Sequence, residues 1–246
     1  MPILFTDSNL WFRIITVPVY VGAIVLTAEL LHRYTNTNPE QVRKVVHIGT
    51  GNVILLAWLL QLPTWVGITS AVLAGIITLV SYQLPILPGV NSVGRKSLGT
   101  FFYAVSIGVV TAVFWPLHLP YYGVIGILIM AWGDGLAAII GQRFGKHPYL
   151  VFGNTKSWEG TLAMLFVSYG VVAIVLFSVQ GNIWQTWVVG IPVAIVATGI
   201  ESIAQWGLDN LTVPLSAAGL VYVINEFFLN YELWIMNYEC KRAKPS

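Results

Sequence analysis

The chain has 246 residues, of which 57% are hydrophobic and only 9% charged, with a formal net charge of +2. An ordinary soluble domain carries roughly 25% charged residues. This composition excludes one, and leaves no room for a sizeable soluble domain beside membrane spans. The small net charge gives no reason to expect nucleic acid as a partner. The single cysteine, Cys240, excludes an intrachain disulfide and any multi-cysteine zinc site. The four histidines, His32, His47, His118 and His147, show no metal-ligand spacing. The expected fold is all-α: one integral membrane domain, residues 1–246, with about seven transmembrane helices.

In chain order, Leu10 to about Leu31 reads as the first span, with Arg13 near its start able to snorkel to the interface. It lacks the short apolar core and small-residue cleavage site of a signal peptide. A polar link follows, HRYTNTNPEQVRK, in which Pro39 is expected to break any helix. Val45 to about Leu60 is the second span and Trp65 to about Tyr82 the third. A link rich in Pro and Gly leads to Thr100 to about Trp115, the fourth, and PLHLP turns the chain into Tyr121 to about Ile140, the fifth. A short basic loop runs to Thr155. Trp158 to about Val179 is the sixth span and Trp184 to about Ile200 the seventh. At about 1.5 Å per residue each bridges the ~30 Å hydrocarbon layer, the shorter ones only just. Leu211 to Trp234 is apolar at first but interrupted by Pro214, Asn225 and Glu226, so a re-entrant segment, an interfacial segment and an eighth span all fit. Trp11, Phe12, Trp115, Tyr121, Tyr122 and Trp184 read as interfacial belt residues.

The basic residues alternate between links. Arg33, Arg43, Lys44, Arg95, Lys96, Arg143, Lys146 and Lys156 follow the odd-numbered spans, and the links after spans two, four and six have no Lys or Arg. The positive-inside rule puts the odd-numbered links, and the basic tail KRAKPS, in the cytoplasm or its equivalent. The N-terminus is then on the non-cytoplasmic side.

The most informative stretch is Ala131 to Thr161, AWGDGLAAIIGQRFGKHPYLVFGNTKSWEGT. Read as a regular helix at 100° per residue, it places Asp134, Ala138, Gly141 and Gly145 on one narrow face. A carboxylate in an apolar segment is costly, and so marks a candidate site. The alternative is a small-residue packing seam with Asp134 paired to a neighbouring helix. Asp134 lies 13 residues after Tyr121, about 20 Å along the span, in its inner half. His47, at the inner end of span two, shares a face with Arg43 and Lys44. Glu201, Asp209, Lys156 and Glu159 collect at the same membrane face. A transporter more often sets its charges near the midplane, on broken helices in matching halves. An enzyme working on a water-soluble donor and a lipid would place them at one face.

The residue types suit phosphoryl transfer, which needs metal-bridged phosphates, cationic clamps and an oriented nucleophile. Asp134, Glu201 and Asp209 are the candidate ligands of a divalent cation, and Lys156, Lys44 and Arg43 the candidate phosphate contacts. Asn154 or Thr155 would cap the sixth span, whose N-terminus favours an anion. GVNSVGRKS, Gly89 to Ser97, nearly reads as a P-loop. Arg95 intrudes before Lys96, however, and no strand–helix unit surrounds it.

GDGLAAIIGQRFGK followed by NTKSWEGT resembles the nucleotide-binding signature of the superfamily of CTP-using polyprenol kinases and phosphatidate cytidylyltransferases. RKVVHIGTG from Arg43 and ESIAQWGLDNLTVPL from Glu201 are similar to the flanking motifs of its phytol and dolichol kinase branch. Together these matches reach from Arg43 to Leu215. A single Lys156 and the ending DNLTVPL depart from the cytidylyltransferase pattern, and dolichol kinases are usually much longer. The chain looks most like the phytol kinases of plastid and cyanobacterial membranes.

That resemblance implies transfer of a phosphoryl group from CTP, or UTP, to a membrane-dissolved prenyl alcohol, with Mg²⁺, in tocopherol and related prenyl-lipid synthesis. It implies that Asp134 and Asp209 hold the metal with help from Glu201. Lys156 would contact the phosphates, Glu159 would orient Lys156 or the metal, and Asn154 would line the nucleotide site. Gly141 and Gly145 would let the nucleotide approach the helix, and Arg43, Lys44 and His47 would line its mouth. His47 is either a base for the alcohol or a hydrogen-bonding link between helices. A cytidylyltransferase acting on a phospholipid, a dolichol kinase and a non-enzymatic transporter stay as alternatives. Choice among phytol, geranylgeraniol and farnesol has no readable side-chain code, because it would rest on an apolar groove between spans.

Overall fold

The structure is a computed structural model that describes residues 10–35, 39–83 and 98–242. The chain runs through α1 (Leu10–Tyr34), α2 (Pro39–Gly51), α3 (Val53–Leu59), α4 (Thr64–Gln83), α5 (Gly99–Phe114) and α6 (Pro120–Leu128). A π-helical turn, Ile129–Asp134, leads into α7 (Gly135–Phe144). A hairpin of β1 (Pro148–Val151) and β2 (Asn154–Ser157) precedes α8 (Trp158–Gln180), α9 (Trp184–Val188), α10 (Gly190–Ile203) and α11 (Asp209–Arg242). Arg95, Lys96 and the rest of GVNSVGRKS lie outside the described residues.

Among the described residues, six stretches are long and apolar enough to cross a membrane: Leu10–Leu31, Thr64–Ser81, Pro120–Phe144, Trp158–Gln180, Trp184–Ile203 and Asp209–Glu232. This is a multi-pass, all-α membrane protein. The expected second span is two helices that meet at Asn52, and the expected fourth is the 16-residue α5. Pro39 does not break a helix; it opens one. The first turn is where a missing N–H is no loss and the fixed φ is already helical. The C-terminal segment is one continuous helix through Pro214, so it is not re-entrant. It begins at Asp209, at the end of the bundle that holds Glu201, and its apolar stretch is long enough to reach the other end.

The 120–144 span is the axis of the bundle. Ile125, Ile127, Ile129 and Met130 are fully buried, whereas α1 presents Trp11, Phe12 and Val19 outward. Helices approach closely where side chains are smallest. A side chain added at Gly126 would strike the Pro214 carbonyl and Ala218 of α11, and one at Gly51 would strike Ala131 and Tyr103. Without a hydrophobic drive between helices in lipid, such contacts and interhelical hydrogen bonds hold the bundle.

The end away from Asp134 has its own polar clamp. Tyr122 donates to Glu226 Oε1 at 2.8 Å and accepts from Asn225 Nδ2 at 2.9 Å. Gln180 exchanges bonds with Asn225 and donates to Thr186. Tyr122, expected in the interfacial belt, is fully buried here. Asn225 and Glu226, which looked like interruptions of an apolar segment, face this network. Arg13 Nη1 donates to the Leu60 carbonyl just past the C-terminal end of α3, at 2.9 Å.

Candidate active site

The site forms where α2, the hairpin, α10 and α11 meet the π turn. Lys44 and His47, three residues apart on α2, point at the 120–144 span. Lys44 Nζ meets Asp134 Oδ2 at 2.5 Å, with both residues 8% exposed. His47 Nε2 lies 3.6 Å from the same oxygen and 3.3 Å from the Met130 carbonyl, and its ring stacks on Tyr103 at 4.7 Å. Both side chains approach Oδ2, so α2 holds the carboxylate by one of its two oxygens. Nε2 faces a carbonyl and a carboxylate. The proton of a neutral imidazole therefore belongs on Nε2, leaving Nδ1 as the acceptor.

The second half comes from the hairpin. Its loop, Phe152 and Gly153, has positive φ at both residues, 47° and 83°. That is the geometry whose twist matches paired strands, and glycine at the second position makes it easy. Lys156 opposes Tyr149 across the hairpin. Tyr149 packs on Trp158, and its hydroxyl shares a hydrogen bond with that of Thr161. Thus braced, Lys156 Nζ reaches Glu201 Oε1 and the Glu201 carbonyl, each at 2.5 Å. Gln205 ties the hairpin to the loop after α10 through the Phe152 carbonyl.

The two ion pairs sense one another. Glu201 is within electrostatic range of Asp134 and Lys44, and Asp209 within range of Asp134, Lys44 and Glu201. Arg43 is within electrostatic range of both Asp134 and His47. The expected set Asp134, Glu201, Asp209, Lys156, Lys44, Arg43 and His47 is therefore one constellation, drawn from five elements. Among the described residues no three His, Cys, Asp or Glu side chains form a group able to hold a metal ion alone.

Several details differ from expectation. Glu159 does not touch Lys156; its carboxylate takes His147 Nδ1 at 2.7 Å and the His147 amide, on the exposed side of the hairpin. The helix cap is neither Asn154 nor Thr155 but Ser157, whose Oγ accepts from the Gly160 amide at 3.2 Å. Asn154 and Thr155 lie in β2 and are exposed. Gly141 and Gly145 face no open space. A side chain at Gly141 would crowd Ser157 Oγ, and one at Gly145 would strike Ser157 Cβ and Oγ at 2.9 Å. The stripe of small residues is the seam on which the first turn of α8 sits, with Gly160 against the Ala137 carbonyl. The regular helix assumed through Asp134 contains the π turn, a feature frequent at functional sites. Tyr103 and Met130, which hold His47, carried no sequence signal. One is an aromatic among many, and the other contributes only a backbone carbonyl.

Comparison with known proteins decides the family. Over 209 residues the chain is 52% identical to the protein named phytol kinase of Synechocystis sp., covering 85% of this chain and 90% of that one. Over 236 residues it is 30% identical to phytol kinase 1, chloroplastic, of Arabidopsis thaliana, covering 85% of this chain and 75% of that one.

The chain belongs to the phytol kinase family.

It is an enzyme, a phosphotransferase. A probable phytol kinase of Triticum aestivum, also named chloroplastic, is 29% identical over 74% of this chain and 66% of its own length. No family model matches the chain, and no solved structure does. In this member of the phytol kinase family, two acid–base pairs, Lys44 with Asp134 and Lys156 with Glu201, stand at one end of the bundle.

Proposed function

We propose that this chain transfers the γ-phosphoryl group of CTP, or UTP, to the hydroxyl of phytol, yielding phytyl phosphate and the nucleoside diphosphate. Membership in the phytol kinase family supports the acceptor. The observation that carries the site is the paired arrangement of Lys44 with Asp134 and Lys156 with Glu201, each at 2.5 Å, with Asp209 in electrostatic range of three of the four. Two lysines held by carboxylates are placed to turn to phosphates when a nucleotide enters, with Arg43 beside them. Phosphoryl transfer depends on such positioning and charge stabilisation far more than on covalent chemistry.

The donor set suits Mg²⁺. This ion is usually held by one or two carboxylates plus substrate phosphates, so the lack of an all-protein cage among the described residues does not count against it. Asp134 and Asp209 would hold it, with Glu201 beside them. When bound it would supply charge neutralisation to the donor's phosphates. The residues do the rest. Lys156 and Lys44 grip phosphate oxygens. The phytol oxygen forms the new bond to the γ phosphorus as the bond from that phosphorus to the β–γ bridging oxygen breaks. The hydroxyl proton goes to His47 Nδ1, while Asp134 and the Met130 carbonyl hold the other side of the ring.

The test is a product assay on purified protein with Mg²⁺, phytol and CTP, UTP or ATP in parallel, with phosphatidate as a second acceptor. Phytyl phosphate with CDP or UDP is the expected result. Pyrophosphate released with phosphatidate would instead make the chain a cytidylyltransferase.

A further inference from the structure

Near the charged site lies an apolar groove of about 360 Å³ between the 120–144 span and α8. Leu128 and Trp132 form one wall, and Val171, Ile174 and Val175 the other. Gly170 of α8 also lines the groove, and a β-carbon placed there would meet nothing within 4 Å. The volume is in the range of small-molecule sites, roughly 300–1,000 Å³. One end, at Trp132, is two residues from Asp134, about 3 Å along the axis at the ordinary helical rise. From there the groove runs away from the charged face, toward Leu128 and Val175. Between Trp132 and Asp134, Gly133 packs on Met164 and Ser168, and the Ser168 hydroxyl is fully buried without a hydrogen-bond partner among the described residues.

We infer that this groove takes the branched hydrocarbon tail of the prenyl alcohol, hydroxyl toward Asp134, and that Gly170 sets how long and bulky a tail it accepts. The inference rests on the prenol kinase reading above. An alcohol dissolved in the membrane must bring a wholly apolar tail and a single polar head to the charged face. This groove offers aliphatic walls that end at an indole, two residues before the buried Asp134. Trp132 is 38% exposed, and its Nε1 is fixed to Asn52 Oδ1 at 2.9 Å, so its ring is a steady wall. A second groove, between α1 and α2 at Tyr20, Ile24, Thr27 and Gly49, is about 180 Å³, half the size.

Two measurements on the full chain in lipid nanodiscs test this. A phytol analogue with a photoreactive diazirine at its tail end is expected to label Val171, Ile174 or Val175 in the wild type, and excess phytol should compete the label away. Gly170→Phe places a ring where the β-carbon has open space. It is expected to cut that labelling, and to lower the ratio of kcat/KM for the C20 alcohol over a C10 alcohol by about tenfold or more, the loss of roughly two buried methylenes. Label on Ile24 or Thr27, label that phytol does not displace, or an unchanged ratio would each overturn the assignment. A wild type that phosphorylates no alcohol would sink the kinase reading, while competed labelling in the groove would still uphold the tail site.

Discussion

Lys44 and Asp134 are both nearly fully buried, and burying either charge alone would carry a large desolvation cost. Breaking such a pair typically destabilises by about 3–5 kcal/mol, because the surviving charge is left unpaired. Lys44→Met should therefore lower the unfolding temperature in detergent sharply. Lys44→Met with Asp134→Leu should recover most of that stability yet remain inactive. A double variant as unstable as the single one would show that the pair does not carry this interaction. His47 separates in the same way into a structural and a chemical part. His47→Gln keeps a donor toward the Met130 carbonyl but offers no base. It is expected to lose about a hundredfold or more in kcat with a nearly unchanged melting temperature; full turnover would remove His47 from proton transfer. At the metal, Asp209→Asn should raise the Mg²⁺ concentration for half-maximal rate, and an unshifted titration would take Asp209 out of the metal's neighbourhood.

At the scale of elements, the hairpin, the first turn of α8 and α7 work as one unit. The hairpin carries Lys156, Ser157 caps α8, and Gly160 lets that turn rest on the Ala137 carbonyl. Gly160→Val has no room, since even a β-carbon would sit 2.8 Å from that carbonyl oxygen. The substitution should push α8 off α7, shift Lys156 away from Glu201 and cut transfer by at least about tenfold, since small misplacements of positioning groups are costly. Undiminished transfer by the Gly160→Val variant would show that the seam tolerates separation. The sequence made the small residues visible but not their partner. Spacing reveals that a face is small, and cannot say whether a ligand or another helix fills it.

For the whole molecule, the order of helices decides which ends meet. At one end of the bundle α2, the hairpin, α10 and α11 gather four separate sequence segments around Asp134, while Tyr122, Gln180 and Asn225 lock the opposite end. With α11 running from Asp209 as one helix, its end at Arg242 is expected on the membrane side opposite the hairpin. A cysteine introduced at Gly153 and a tag after Ser246 should be labelled by membrane-impermeant reagents from opposite sides. Labelling from the same side would mean that α11 does not cross, as the basic tail by itself suggests. The sequence alone determined that this is a membrane protein, where most of its spans lie and which charged residues cluster at one face. Those follow from apolar length and from the rarity of charge in lipid, both local properties. Tertiary structure alone decided the pairings: Lys156 with Glu201 and not Glu159, Ser157 and Gly160 against Gly141 and Gly145, His47 between Met130 and Tyr103. It also showed the continuity of α11 and the open space at Gly170. Each of these is set by how helices distant in sequence pack, and no spacing within one segment encodes that.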